Sequence, residues 1–89
     1  MKLIGRDKLK RGIEDVDRWL RGWCSEVATA HWRRPEDVTK QFPNARSRPG
    51  GNFFFPIETS GYWLQLQVAF AQGVVLILEM NNIDNPYGH

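Results

Sequence analysis

From Asn52 to Met80 the chain reads NFFFPIETSGYWLQLQVAFAQGVVLILEM, with apolar runs separated at Thr59-Ser60-Gly61 and Ala71-Gln72-Gly73. Turn signals between β-prone runs predict a three-stranded antiparallel meander. The middle run alternates. Tyr62, Leu64, Leu66, Val68 and Phe70 share one face, and Trp63, Gln65, Gln67 and Ala69 share the other. The first face needs a cover; the second is left for water or a partner.

Upstream, Leu9, Ile13, Val16, Leu20, Trp23, Cys24 and Val27 recur at helical spacing, which predicts an amphipathic helix running to about Ala30. Asp7 is suited to cap it. The periodicity runs straight through Gly12, so one long helix and a helix pair with Asp15 as second cap both remain open. Ala28 and Ala30 are small enough to lie close under the sheet. Pro35 opens a short second helix, where its missing N–H is harmless, with Glu36 and Asp37 in the first turn and Pro43 as its stop. Val38 and Phe42 form its apolar pair. Asn44 to Gly51, NARSRPGG, predicts a loop that Gly50 and Gly51 allow to move. Met1 to Gly5 is a short extended segment, suited to an edge strand. Pro56 makes its own strand an edge or ends it. The expected architecture is α+β: a helix or helix pair packed on a small antiparallel sheet, in a single domain over residues 1–89.

At 89 residues the chain has room for one small core. One cysteine, Cys24, excludes an internal disulfide framework and fits a reducing compartment. The apolar runs are too short for a membrane span and MKLIGRDKLK lacks a signal-peptide core, so a cytoplasmic location with no membrane partner is expected. His31, His89 and Cys24 are too scattered to hold a metal, and no cofactor is implied.

Charge changes the picture more than composition does. Residues 1–48 hold all 12 Lys and Arg; the rest holds only Glu58, Glu79 and Asp84 as charged side chains. The sheet is therefore expected to offer no cation, which is unusual for a surface that meets phosphate. Arg33, Arg34, Lys40, Arg46 and Arg48 cluster around the short helix and the loop. They read either as a solvated basic face or as RNA contacts, with Arg46 and Arg48 foremost. Trp63, with Gln65 and Gln67, lies on the face opposite the core. An exposed Trp there either stacks on a base or anchors a protein interface; otherwise the helix or the tail covers it. Of three consecutive phenylalanines, Phe54 is the one turned away from the core. Glu79, spaced by two from Ile77 and by four from Val75, is expected on their face; it reads as a surface glutamate or as a base. His31 reads as a surface histidine at the helix end.

The ordered set Ala30-His31-Trp32-Arg33-Arg34-Pro35-Glu36-Asp37-Val38, Phe42-Pro43-Asn44-Ala45, Phe55-Pro56-Ile57, Tyr62-Trp63-Leu64, Phe70 and Val74-Val75-Leu76-Ile77 resembles the HigB-type toxins of the RelE superfamily. The likeness spans about residues 9 to 87. It implies a bacterial or phage toxin that cleaves mRNA on the ribosome and is silenced by a cognate antitoxin. The departures fall where the family's function lies. Its strand arginine is Trp63 here, its asparagine is Pro56, and its glycine–threonine–histidine becomes Asn81-Asn82-Ile83. Tyr87 persists about one residue out of step. With these groups altered, Tyr87, His89 and Tyr62 are the remaining candidates for proton transfer, although Tyr62 also suits the core beside Leu64. The alternative is a toxin scaffold that has lost the nuclease, for example a phage-encoded one. It would inhibit a bacterial protein through Trp63, Phe54, Gln65 and Gln67.

Overall fold

The computed structural model describes residues 1–9, 12–57 and 61–82. It is α+β. Strand β1 (Lys2–Ile4) leads through a 3₁₀ turn (Arg6–Lys8) to helix α1 (Glu14–Thr29) and helix α2 (Pro35–Gln41). Then come β2 (Arg46–Arg48), a 3₁₀ turn (Pro49–Gly51), β3 (Asn52–Ile57), β4 (Tyr62–Ala69) and β5 (Val74–Asn82). The sheet has five strands in the order β1-β5-β4-β3-β2.

The expected meander is present as β3, β4 and β5, paired antiparallel. It is extended on both sides. β1 is the edge strand expected for the first residues, but it pairs parallel to β5, so the sheet is mixed. The other edge corrects the sequence reading. Arg46-Ser47-Arg48 is a strand, not a loop, and pairs antiparallel with Asn52–Phe54. β3 runs through Pro56 to Ile57. β2 reaches only as far as Phe54, so Pro56 lies where β3 is locally an edge and a missing N–H costs no ladder bond.

The first helix is shorter than its periodicity suggests. It begins at Glu14, with Ile13 as N-cap, rather than at a cap on Asp7 or Asp15. Asp7 lies in the preceding 3₁₀ turn. Gly12 has φ 109°, a left-handed conformation that a helix cannot contain. Leu9 is buried without being helical, while Ile13 is 41% exposed. The turn into α1 is held by the Asp17 carboxylate, which accepts from the Gly12 N–H at 3.2 Å. Val16, Leu20, Trp23 and Val27 form the inward stripe of α1. Ala30 is buried, whereas Ala28 faces solvent.

α2 starts as expected. The Asp37 carboxylate accepts from the Arg33 N–H at 2.8 Å and the Arg34 N–H at 3.1 Å, satisfying donors at the helix start. These bonds, the Arg33 one foremost, hold the Asp37 pKa below the ordinary aspartate value, helped by the Arg34 charge and opposed by partial desolvation. The linker between the helices buries Trp32, whose Nε1–H donates to Gln41 Oε1 at 2.9 Å.

Both helices pack on the face that carries Phe53, Phe55, Ile57, Leu64 and Leu66. Trp23 and Phe42 each meet Phe55 edge-on, at 5.7 and 5.2 Å between ring centres. Burial of each such large side chain contributes about 1.5–3 kcal/mol. Among the described residues, no helix is long and apolar enough to cross a membrane.

Among the described residues, β5 holds the one irregularity of register. Gln65 opposes Glu79 and Leu66 opposes Ile77, so Leu78 is an extra residue in a β-bulge. The buried positions of β5 are Val75, Ile77 and Met80, a step of two followed by a step of three. Glu79 is therefore turned to the solvent face, opposite to the expectation that it sits with Val75 and Ile77.

Candidate functional site

Cross-strand partners share a face, so the register fixes which side chains meet on the side away from the helices. Arg46, Phe54, Gln65 and Glu79 form one row across four strands. Arg48, Asn52, Gln67 and Leu76 form the next, and Pro56, Trp63 and Asn81 a third. Six of these residues, Arg46, Arg48, Phe54, Trp63, Gln65 and Asn81, line a cavity of about 240 Å³. The expectation of a sheet without cations is thus overturned: β2 brings Arg46 and Arg48 onto the face that carries Trp63.

The arginines lean diagonally across the sheet. Arg46 Cζ lies 5.2 Å from the centre of the Trp63 ring, and Arg48 Cζ lies 5.2 Å from that of Phe54. The two rings meet edge-on, 6.3 Å apart at 68°. Each exposed cation–π contact is worth about 0.5–1 kcal/mol, and the ring pair a similar amount. Among the described residues neither guanidinium joins a salt bridge or side-chain hydrogen bond. No described residue takes up their in-plane N–H groups in such a bond.

The turn that joins β2 to β3 is tied down by backbone geometry and by hydrogen bonds. Gly51 has φ +78°, and a Cβ there would stand 2.6 Å from the Val68 carbonyl oxygen. Asn52 Nδ2 donates to the Pro49 carbonyl at 2.8 Å, and Gln67 Nε2 donates to the Gly50 carbonyl at 3.3 Å. Gly50 and Gly51 therefore set the placement of the arginines instead of loosening it. On β5, Asn81 Nδ2 donates to Glu79 Oε1 at 2.6 Å, which brings a carboxylate to the rim of the cavity. Sequence reasoning missed Asn52 and Asn81 at this site, and it weighed Glu79 as a base but did not place it here. The step from Ile77 to Met80 was the signal for Glu79 and Asn81.

The other anticipated residues are placed elsewhere. Arg33, Arg34 and Lys40 are exposed around α2, on the helical side of the sheet. They do not line the cavity. Tyr62 is half-buried against the core. Its face is the one opposite Trp63. His31 is exposed in the linker before α2. Tyr87, His89 and Ile83 lie outside the described residues. A larger cavity, about 330 Å³, is lined by Arg6, Asp17, Arg21 and Cys24 among others; it belongs to the helical side and gathers none of the anticipated residues. Among the described residues, no cluster of His, Cys, Asp and Glu could hold a metal ion.

No curated protein matches the chain. The profile of the family described as HigB_toxin, RelE-like toxic component of a toxin-antitoxin system, matches residues 17–82, from the first turns of α1 to the end of β5. With this match over most of its length, and with two helices on one face of a five-stranded sheet, the chain belongs to the HigB family of RelE-like toxins.

Proposed function

We propose that this toxin arrests translation by cutting messenger RNA on the ribosome, and that the solvent face of the sheet is its RNA-contacting surface. Family membership implies a cognate antitoxin. The observation that carries the RNA reading is the placement of Arg46 and Arg48 over Trp63 and Phe54 on an open face. In the cut, a base takes the proton of the 2′-hydroxyl and the 2′-oxygen attacks the adjacent phosphorus. The 5′-oxygen then leaves with a proton from an acid, and a 2′,3′-cyclic phosphate remains. Negative charge grows on the non-bridging oxygens, where guanidinium N–H groups stabilise it best. Arg46 and Arg48 supply those groups. Glu79 is the carboxylate that the described part of this face offers as base. Tyr87 and His89 are the proposed acids, ahead of Tyr62, which packs against the core. Arg33, Arg34 and Lys40 add positive charge for ribosomal RNA.

The test is induced expression in a bacterium with 5′ ends mapped on translated messages. New ends within coding frames are expected, lost when translation is blocked and lost in the Arg46→Ala/Arg48→Ala variant. Intact messages, with soluble folded protein, would support a second reading instead, a binder of a bacterial protein. That reading is favoured by the aromatic pair Phe54 and Trp63, flanked by Gln65 and Gln67, on a face without a histidine among the described residues.

A further inference from the structure

Trp63 occupies the position where the resemblance places an arginine, yet a guanidinium is still present there. Arg46 comes from two strands away, and its Cζ lies over the Trp63 ring at 5.2 Å. Arg48 repeats the arrangement one step along, over Phe54 at the same distance. A ring that covers the flat face of a guanidinium restrains the side chain and leaves its edge donors unused. A carboxylate in the same place would consume those donors. The arginines are also spaced for a repeating ligand. Alternate residues of a strand stand about 7 Å apart, comparable to successive phosphates along an extended single strand. The two side chains lean the same way along the sheet, Arg48 onto the diagonal Phe54 of the adjacent strand and Arg46 past Phe54 onto Trp63 of the next.

We propose that Arg46 and Arg48 form a clamp for two consecutive phosphates of an unpaired RNA strand, and that Trp63 and Phe54 are positioning residues that hold the clamp. This rests on the RNA reading above and goes beyond it, because it gives the two rings a role that does not involve stacking on a base. Gln65 and Asn81 line the same cavity.

The experiment uses labelled single-stranded hexanucleotides of 2′-deoxyadenosine and of thymidine, which the 2′-hydroxyl route cannot cut. Binding is followed by anisotropy over a salt series. Arg46→Ala is expected to weaken binding at least about tenfold and to flatten the salt slope by about 0.7. Trp63→Ala is expected to weaken binding about two- to fivefold, equally for both strands, with the salt slope unchanged because no charge is lost. Trp63→Phe, which keeps a ring under Arg46, is expected to restore most of that loss. If Trp63→Ala binds like the wild type, the clamp is not held by the ring and the proposal fails. A loss confined to one base would assign Trp63 to stacking and overturn it equally. So would tighter binding of a glutamate-rich peptide than of either strand, which would assign the arginines to a protein ligand. A wild-type protein that binds neither strand and leaves messages intact would remove the RNA reading itself. A wild type that binds and cuts, beside an unaffected Trp63→Ala, would remove the clamp alone.

Discussion

Phe54 and Phe55 are neighbours in the chain and stand on opposite sides of one sheet. Phe55 is 1% exposed, with Trp23 and Phe42 edge-on to its ring. Phe54 is half-buried, between the Arg48 guanidinium and Trp63. The inner face is made of residues that folding requires. On the outer face, folding requires only that the strands pair, so an aromatic pair under two arginines there has to be explained by what it meets. Identity on the inner side reports packing; on the outer side packing demands much less.

The largest expected effect is on the inner side. Phe55→Ala should lower stability by about 3–5 kcal/mol, read by thermal or denaturant unfolding. Gly51→Ala should follow, at about 1–3 kcal/mol, because its φ is +78° and the new methyl group would stand 2.6 Å from the Val68 carbonyl oxygen. It should also weaken RNA binding, since this turn sets β2 against β3. Trp63→Ala should cost only about 1 kcal/mol in unfolding free energy, the worth of one ring pair and one exposed cation–π contact. A loss as large as that of Phe55→Ala would show that the outer face is a second core and would end the contrast. Arg46→Ala/Arg48→Ala should likewise cost about 1 kcal/mol, two exposed cation–π contacts, while abolishing message cutting.

The smallest effect concerns pH. Asp37 has its pKa lowered in the folded protein by the N–H groups of Arg33 and Arg34. The folded state therefore holds the charged form more tightly than the unfolded chain does. This contribution is present above the ordinary aspartate pKa and is lost as pH falls through the lowered folded value. The Asp37 carboxyl should titrate, by NMR, below an unstructured aspartate. Asp37→Asn should remove this part of the acid sensitivity and leave the outer face unaffected.

The parts of the fold with long periodic patterns were legible in the sequence. The alternation of β4 gave both faces of the meander, and Pro35, Asp37 and the Phe42-Pro43 stop gave α2 closely. β2 was hidden because its three residues, Arg-Ser-Arg, are all exposed and carry no hydrophobic alternation. Its strand character comes from backbone pairing with β3 alone. The Pro-Gly-Gly turn, followed by the apolar run of β3, was the available sign of a hairpin. The parallel pairing of β1 was hidden for a similar reason, since three residues cannot specify a partner strand. Helical periodicity overran Gly12 because Leu9 is buried by a non-helical route. At the site, Arg46, Arg48, Phe54, Trp63 and Gln65 were each visible as unusual residues. That they converge depended on the missed strand, and the outward turn of Glu79 depended on a bulge that no glycine marks.

β2 contributes no side chain to the core. Residues 46 and 48 can therefore be exchanged in descent without the folding penalty that accompanies change at Phe53 or Phe55. A lineage can vary the charge on this edge while inheriting the same scaffold. On the proposed reading, selection at these two codons acts through RNA contact and is not mixed with selection for packing.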